Sequence, residues 1–269
     1  MNHLHFKNAL KEACKDRFND SEIYEFWKWF QENLKKIESE SLQKEKFDLW
    51  MNELLLEKPI QYIFGYAYFH KYIFQVNENT LIPRPETEEL CELILQTNQN
   101  SKGLKGIDIG TGSGCIPITL VKEQNTWNFD ALDISKGALE VSKQNAIQLG
   151  VDNQINTIES DFLTHANESN TYDIIVSNPP YISKAESNKM DKRVVQFEPH
   201  EALFVNEHVL EFYQALFYFF EGNSNPKAQL WMETHQDHCD AVFQIFNKKF
   251  NAKKIEDFSQ NPRFVYVAK

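Results

Sequence analysis

No glycine occurs before Gly65 and no proline before Pro59, so the first quarter of the chain lacks the two residues that most readily interrupt helices. No apolar run approaches the length of about 18 residues that a membrane-spanning helix needs, and none is expected to cross a bilayer. The four cysteines, Cys14, Cys91, Cys115 and Cys239, contain no CxxC pair, and without a signal peptide they are expected to stay reduced in a cytoplasmic protein. Basic residues are outnumbered: Lys+Arg 28 against Asp+Glu 39 leaves a net charge of −11, which repels a phosphate backbone and argues against direct DNA binding. What the chain does have is core material. At 269 residues, 42% hydrophobic and 13% aromatic, it has room for one large domain and a small one.

The N-terminal part is patterned as helices. Ile23, Phe26, Trp27, Phe30, Leu34 and Ile37 repeat at three- and four-residue spacing with charged residues between them, and a second such run goes from Leu42 through Phe47, Trp50, Met51 and Leu54 to Leu56, ended by Pro59. These predict a small helical domain over residues 1–64, its aromatic stripe serving as core or as a docking platform for a protein substrate. From Gly65 the pattern turns to Tyr66, Tyr68, Phe69, Tyr72, Ile73, Phe74 and Val76, read as a β-hairpin linker over residues 65–82. Leu81-Ile82-Pro83-Arg84-Pro85-Glu86-Thr87-Glu88 then begins a helix, with Pro85 and acidic residues in its first turn; it is either that alone or one wall of a cleft.

The remainder, residues 83–269, reads as an α/β domain with a doubly wound, mostly parallel sheet. Gly106-Ile107-Asp108-Ile109 leads into Gly110-Thr111-Gly112-Ser113-Gly114, a strand, a glycine turn and a helix start in which the backbone is open to a ligand. Nicotinamide enzymes and methyltransferases share such turns. The following strand, Phe129 to Leu132, ends in Asp133, placed to accept from ribose hydroxyls, and the next, Ile155 to Ile158, leads to Asp161-Phe162, where Asp161 can accept from an adenine amino group and Phe162 can lie against the ring. Three acidic residues, Asp108, Asp133 and Asp161, suit a cationic adenosyl ligand better than a pyrophosphate. S-adenosylmethionine is such a ligand.

A fourth strand, Tyr172 to Ser177, runs straight into Asn178-Pro179-Pro180-Tyr181. Its β-branched run is that of a strand buried on both faces, and the prolines stiffen the turn while leaving carbonyls free to accept. A polar amide, free carbonyls and an aromatic ring therefore meet at a strand's carboxyl end, where open α/β sheets bind ligands. Residues Ile182 to His200 read as a long loop over the cleft, in which Glu198 either closes over substrate or is a solvated carboxylate. Val209 to Phe220 reads as a helix and Gln229 to Glu233 as a buried strand. His235, His238 and Cys239 have something like metal-ligand spacing but no second cluster, so a helix start is expected there and no metal; Cys115 reads as a packing residue.

Taken together, Gly110 to Gly114, Asp133, Asp161-Phe162, Ser177-Asn178-Pro179-Pro180-Tyr181-Ile182, Leu81 to Glu88 and Phe197-Glu198-Pro199 resemble the HemK/PrmC-type release factor glutamine methyltransferases over nearly the whole chain. The resemblance implies a Rossmann-like sheet whose last strand, Arg263 to Ala268, is antiparallel. It implies methyl transfer from S-adenosylmethionine, leaving S-adenosylhomocysteine, to the side-chain amide of the glutamine in the Gly-Gly-Gln sequence of class I peptide-chain release factors, a modification belonging to translation termination. Asp108, Gly110, Thr111, Gly112, Gly114, Asp133, Asp161, Phe162 and Asn178 are the expected cofactor-binding residues. Asn178, Pro179 and Tyr181 are the expected catalytic ones, and Pro180, Arg84 and Glu198 complete the expected substrate site. Three other readings stand beside this one: a glutamine methyltransferase acting on a ribosomal protein, an adenine-amino nucleic acid methyltransferase, and a non-catalytic adenosyl-binding scaffold.

Overall fold

The computed structural model describes residues 3–164, 171–183, 187, 190–205 and 209–269. Two compact units are present, one comprising the chain to Gly65 together with Lys192–Phe197, the other Tyr66–Asp191 and Glu198–Lys269.

The first unit is helical, with α1 (Leu4–Cys14), α2 (Asp20–Lys35), α3 (Glu40–Leu55) and the short α4 (Ile60–Phe64). Helix α2 starts where Asn19 accepts from the amides of Ser21 and Glu22 while the Glu22 carboxylate accepts from the Asn19 amide, a reciprocal cap that satisfies otherwise orphaned donors. The aromatic stripe is core: the fully buried Phe30 ring meets Phe47, Trp50 and Phe64 edge-on at 5.5, 5.8 and 5.5 Å. Helix α1 was not anticipated, because Phe6, Leu10 and Cys14 are its only buried residues and they lie in a largely polar stretch. The helix Lys192–Phe197 joins this unit through Arg193, whose guanidinium donates to Glu22 at 3.0 Å.

In the second unit, β1 (Tyr66–Phe69) and β2 (Tyr72–Gln75) form the expected hairpin. Phe69 and Phe74 are fully buried in the sheet's core, and Asn145 fastens the hairpin by accepting from the Gln75 amide at 2.7 Å and donating to its carbonyl at 3.0 Å. Then come α5 (Pro85–Thr97), β3 (Lys105–Ile109), α6 (Cys115–Glu123), β4 (Asn128–Asp133), α7 (Lys136–Gln148), β5 (Ile155–Glu159), β6 (Tyr172–Ser177) and β7 (Ile182–Ser183). After α8 (Lys192–Phe197), which belongs to the first unit, the second unit continues with α9 (His200–Leu203), β8 (Phe204–Val205), α10 (Glu211–Asn223), β9 (Ser224–Glu233), α11 (Cys239–Asn247), β10 (Asn251–Glu256) and β11 (Pro262–Ala268). Seven strands make one sheet in the order β10-β11-β9-β6-β3-β4-β5, parallel from β9 to β5, with β11 antiparallel to both its neighbours. The β-branched centre of β6, Ile174 to Val176, is fully buried, as strands covered on both faces must be.

The reading of Ile182 to His200 as one loop is corrected. Its described parts hold β7 and α8, and α9 begins at its end; two-residue and six-residue elements are too short to leave a hydrophobic period, and α8 has no buried residue that would mark a face. Residues 184–186, 188 and 189 of that stretch lie outside the described residues. Strand β10 also escaped the sequence reading, since Asn251-Ala-Lys-Lys-Ile-Glu256 buries only Ala252.

Candidate active site

The sheet's order reverses at β3. The chain goes from β3 to β4 and β5 on one side and returns to β6 on the other, pairing Asp108 with Val176. Such a switch point opens a crevice at the strands' carboxyl ends. The glycine turn leaves β3 and the Asn178 segment leaves β6, so the two motifs are neighbours, and the Ser177 hydroxyl ties them by donating to the Ile109 carbonyl at 2.7 Å.

The turn is built for close approach. Gly110 and Gly114 have φ of +79° and +78°, in the left-handed region that suits glycine. The amides of Gly110 and Thr111 donate to the Leu132 carbonyl at 2.9 and 3.0 Å, which fixes the turn to β4. A Cβ added to Gly110 or Gly112 would meet nothing within 4 Å, so both positions face open space. Two residues before Gly110, the Asp108 side chain is fully buried, with no hydrogen-bond partner for either oxygen among the described residues; the Thr111 and Ser113 hydroxyls are likewise buried and unpartnered. Burial pushes the Asp108 carboxyl up to about 7, the nearby Thr111 hydroxyl tempering and the Asp133 charge adding to the effect. A buried acceptor without a donor is costly unless a ligand supplies one. An open cradle over orphaned acceptors therefore fits a cationic, hydrogen-bond-donating ligand.

Asp133 is already engaged. One carboxylate oxygen accepts from the Gly112 amide at 2.8 Å and the other from the Ser135 amide at 2.9 Å, leaving their remaining lone pairs for a ligand. Burial raises its pKa, and the two amides pull it back. Asp161 lies beyond the end of β5, two strands from β3, and caps its own turn by accepting from the Leu163 amide at 3.0 Å. The Phe162 ring packs on the apolar core, 5.1 Å from that of Phe212 and 5.4 Å from that of Phe219.

At the end of β6, the Asn178 side-chain nitrogen donates to the Thr87 hydroxyl oxygen at 3.1 Å, and that hydroxyl donates to the Glu233 carboxylate at 2.8 Å. The Asn178 amide oxygen takes no hydrogen bond from the described residues. Tyr181 donates weakly to the second Glu233 oxygen at 3.4 Å. Glu233 ends β9, whose Met232 pairs with Ser177, so register alone sets it beside Asn178. Its side chain is buried, and burial drives its pKa up to about 7 against the pull of Thr87, Arg263 and Tyr181. Burial beside the Glu233 charge holds the Tyr181 phenol above its usual range. Neither Thr87 nor Glu233 was singled out from the sequence. The signal was there in Leu230-Trp231-Met232-Glu233, a carboxylate closing an apolar strand.

Arg84 and Glu198 meet each other. Glu198 is 3% exposed, accepting from the Arg84 guanidinium at 2.6 Å and from the Ile82 amide at 3.2 Å. The reading of Glu198 as a solvated carboxylate is corrected: it is a buried brace for the Ile82-Pro83-Arg84 entry. Among the described residues no group of three or more His, Cys, Asp or Glu is placed to hold a metal ion, and no helix is long and apolar enough to cross a membrane. His235 accepts from the Asp237 amide at 3.3 Å, and Cys239 is buried at the start of α11.

Residues 86–200 match the methyltransferase small domain. Over 280 aligned residues the chain is 36% identical to a release factor glutamine methyltransferase of Flavobacterium psychrophilum, covering 97% of each, and over 257 residues it is 37% identical to that of Lactococcus lactis, covering 92% of each. Among solved structures, the hMettl16 catalytic domain in complex with MAT2A 3'UTR hairpin 1 superposes with a TM-score of 0.57 at 15% identity, over 83% of this chain and 80% of that one, a likeness of fold alone. With more than a third of its residues shared across nearly the full length of such relatives, the chain belongs to the release factor glutamine methyltransferase family.

Proposed function

We infer that this protein transfers a methyl group from S-adenosylmethionine to the side-chain amide nitrogen of a glutamine in peptide-chain release factors, that of their Gly-Gly-Gln sequence. The likeness over nearly the whole chain to proteins named release factor glutamine methyltransferases carries the reading, and the chemistry of the crevice supports it. The cofactor supplies an electrophilic methyl on a positively charged sulfur and leaves as S-adenosylhomocysteine. Asp108 offers two unpaired carboxylate oxygens to a cationic amino group, Gly110 and Gly112 leave room for it, Asp133 retains acceptor capacity for ribose hydroxyls, and Asp161 for an adenine amino group.

An amide nitrogen is a weak nucleophile because its lone pair is delocalised into the carbonyl. The protein's task is orientation. Asn178 turns its side-chain oxygen away from Thr87, free to accept one amide hydrogen of the glutamine, and the Pro179 carbonyl accepts the other. Tyr181 packs over the planar amide. These acceptors strengthen their hold as the nitrogen gains positive charge, which favours the transition state over the bound substrate. Positioning of this kind supplies several kcal/mol of barrier reduction. No general base is assigned, since the methylated nitrogen is acidic enough to lose its proton afterwards. Pro180 stiffens the clamp, and Arg84 and Glu198 shape its wall. The reaction is cytoplasmic and needs no metal.

The test is to incubate the protein with labelled S-adenosylmethionine and a class I release factor and to map the methyl by mass spectrometry. Label on the Gly-Gly-Gln glutamine is expected; label absent there but present on DNA or on a ribosomal protein would overturn the reading.

A further inference from the structure

We propose that Glu233, acting through Thr87, is a positioning residue that decides which end of the Asn178 amide faces the acceptor glutamine. The proposal rests on the reading of Asn178 as a hydrogen-bond acceptor for the substrate amide.

An asparagine amide and its flipped form have nearly the same shape, so packing does not choose between them; only the polarity of the hydrogen bonds around it does. Here the choice is made two residues away. A hydroxyl carries one proton and an ionised carboxylate carries none, so Thr87, 2.8 Å from Glu233, spends its proton on the carboxylate. Its oxygen is then left only to accept, and the group 3.1 Å away must be the Asn178 NH2. The amide oxygen is thereby the end that does not face Thr87 and is left to accept from the substrate. In the flipped form two NH2 groups, that of Asn178 and that of the glutamine, would face each other and the orienting bond would be lost.

Titratable and charged groups surround Glu233 and its partners on several elements. Helix α5 brings Thr87 and Glu86, β11 brings Arg263 with its partner Asp257, the Asn178 turn brings Tyr181, and the chain beyond β9 brings His235, whose ring lies 6.0 Å from that of Tyr181. Helix α10 adds Tyr213, which donates to the Glu233 backbone carbonyl at 3.1 Å and so holds the strand end. Once protonated, Glu233 can donate to the Thr87 oxygen, and Thr87 can donate to the Asn178 oxygen. The chain of bonds then runs in reverse, and turnover falls as pH drops through the range where burial places the Glu233 proton, about 7.

Glu233→Gln mimics the protonated state at every pH. Its oxygen stays with the Tyr181 hydroxyl and its NH2 faces Thr87, so kcat for release factor methylation at pH 8 is expected to drop at least about tenfold, with cofactor affinity held within about twofold and the limb near pH 7 gone from the profile. Thr87→Val, which has the same shape without the hydroxyl, is expected to lose as much, Thr87→Ser to restore most of it, and Thr87→Val/Glu233→Gln to be no worse than either single variant, since all interrupt one chain. The wild-type turnover separates the two claims. Wild-type protein that leaves the release-factor glutamine unmethylated overturns the functional reading and this inference with it. Wild-type turnover overturns this inference alone if Glu233→Gln is within twofold of wild type, if Thr87→Ser and Thr87→Val are equally impaired, or if the losses of the double variant multiply. Should Glu233→Gln not fold, the Thr87 pair decides.

Discussion

Arg84 and Glu198, 114 residues apart in sequence, are joined by a hydrogen-bonded ion pair of 2.6 Å, with 1% of the Glu198 side chain exposed. The second Glu198 oxygen accepts from the Ile82 amide, so one carboxylate satisfies both a guanidinium and a backbone donor on the strap leading into α5. Removing it in Glu198→Ala leaves a buried amide unpaired and a guanidinium without its partner. Arg84 keeps 31% of its side chain in water, which softens the loss to about 2 kcal/mol. A urea unfolding midpoint unchanged from wild type would show that the brace contributes nothing.

Asn178→Ala separates binding from chemistry. Cofactor affinity, measured by calorimetry, is expected to stay within about threefold of wild type, while kcat falls at least about tenfold, equal to about 1.4 kcal/mol of transition-state stabilisation. Loss of cofactor affinity in proportion to kcat would contradict the role assigned to the side chain.

How much of this was legible beforehand follows from how local each signal is. The glycine turn, the strand ends at Asp108, Asp133 and Asn178, the hairpin and the helices α2 and α3 all announce themselves within about ten residues of chain through period and punctuation. The network around Asn178 does not. Thr87, Asn178 and Glu233 come from three separate elements, brought together by the pairing of β6 with β9 and by α5 beside them. The same holds for Glu198: its motif was visible, but its burial depends on Arg84 and Ile82, and a loop carboxylate looks solvated until its partner is known. The core contacts of Phe162 were equally hidden, because an aromatic at a strand end suits a ligand and a core alike and Phe212 and Phe219 come from a helix that follows much later in the chain.

Two glycines of the turn are expected to fail differently. At Gly114 a Cβ would fall 2.4 Å from the Ser142 hydroxyl and 2.8 Å from the Ile118 side chain, on a backbone that already has φ of +78°. Gly114→Ala should therefore lower stability by about 2 kcal/mol or more, read as a lower urea midpoint. At Gly110 the space is open, so Gly110→Ala should cost about 1 kcal/mol of backbone strain and act chiefly by filling the cradle. It is expected to weaken cofactor binding at least about tenfold. The reverse ranking of the two variants would mean that the open face at Gly110 is not where the cofactor lies.

Asp108 links stability, pH and the cofactor with opposite signs. Its ordinary pKa of 3.8 is raised to about 7 in the folded protein by burial. Between those values the folded state holds a proton that the unfolded chain has released, so this group's contribution makes the protein less stable as pH rises from about 4 to about 7, with the penalty constant above that. Asp108→Asn abolishes it. The variant should melt higher than wild type at pH 8 and close to wild type at pH 5, and a lower melting temperature at pH 8 would show that the carboxylate is not an uncompensated burden. The charge that costs stability is the one a cationic ligand uses. Wild-type affinity for S-adenosylmethionine is expected to rise as pH passes upward through about 7, whereas the Asn variant binds at least about tenfold more weakly with no such rise. Stability gained and affinity lost through the same substitution would mark Asp108 as a site kept for function at the expense of the fold.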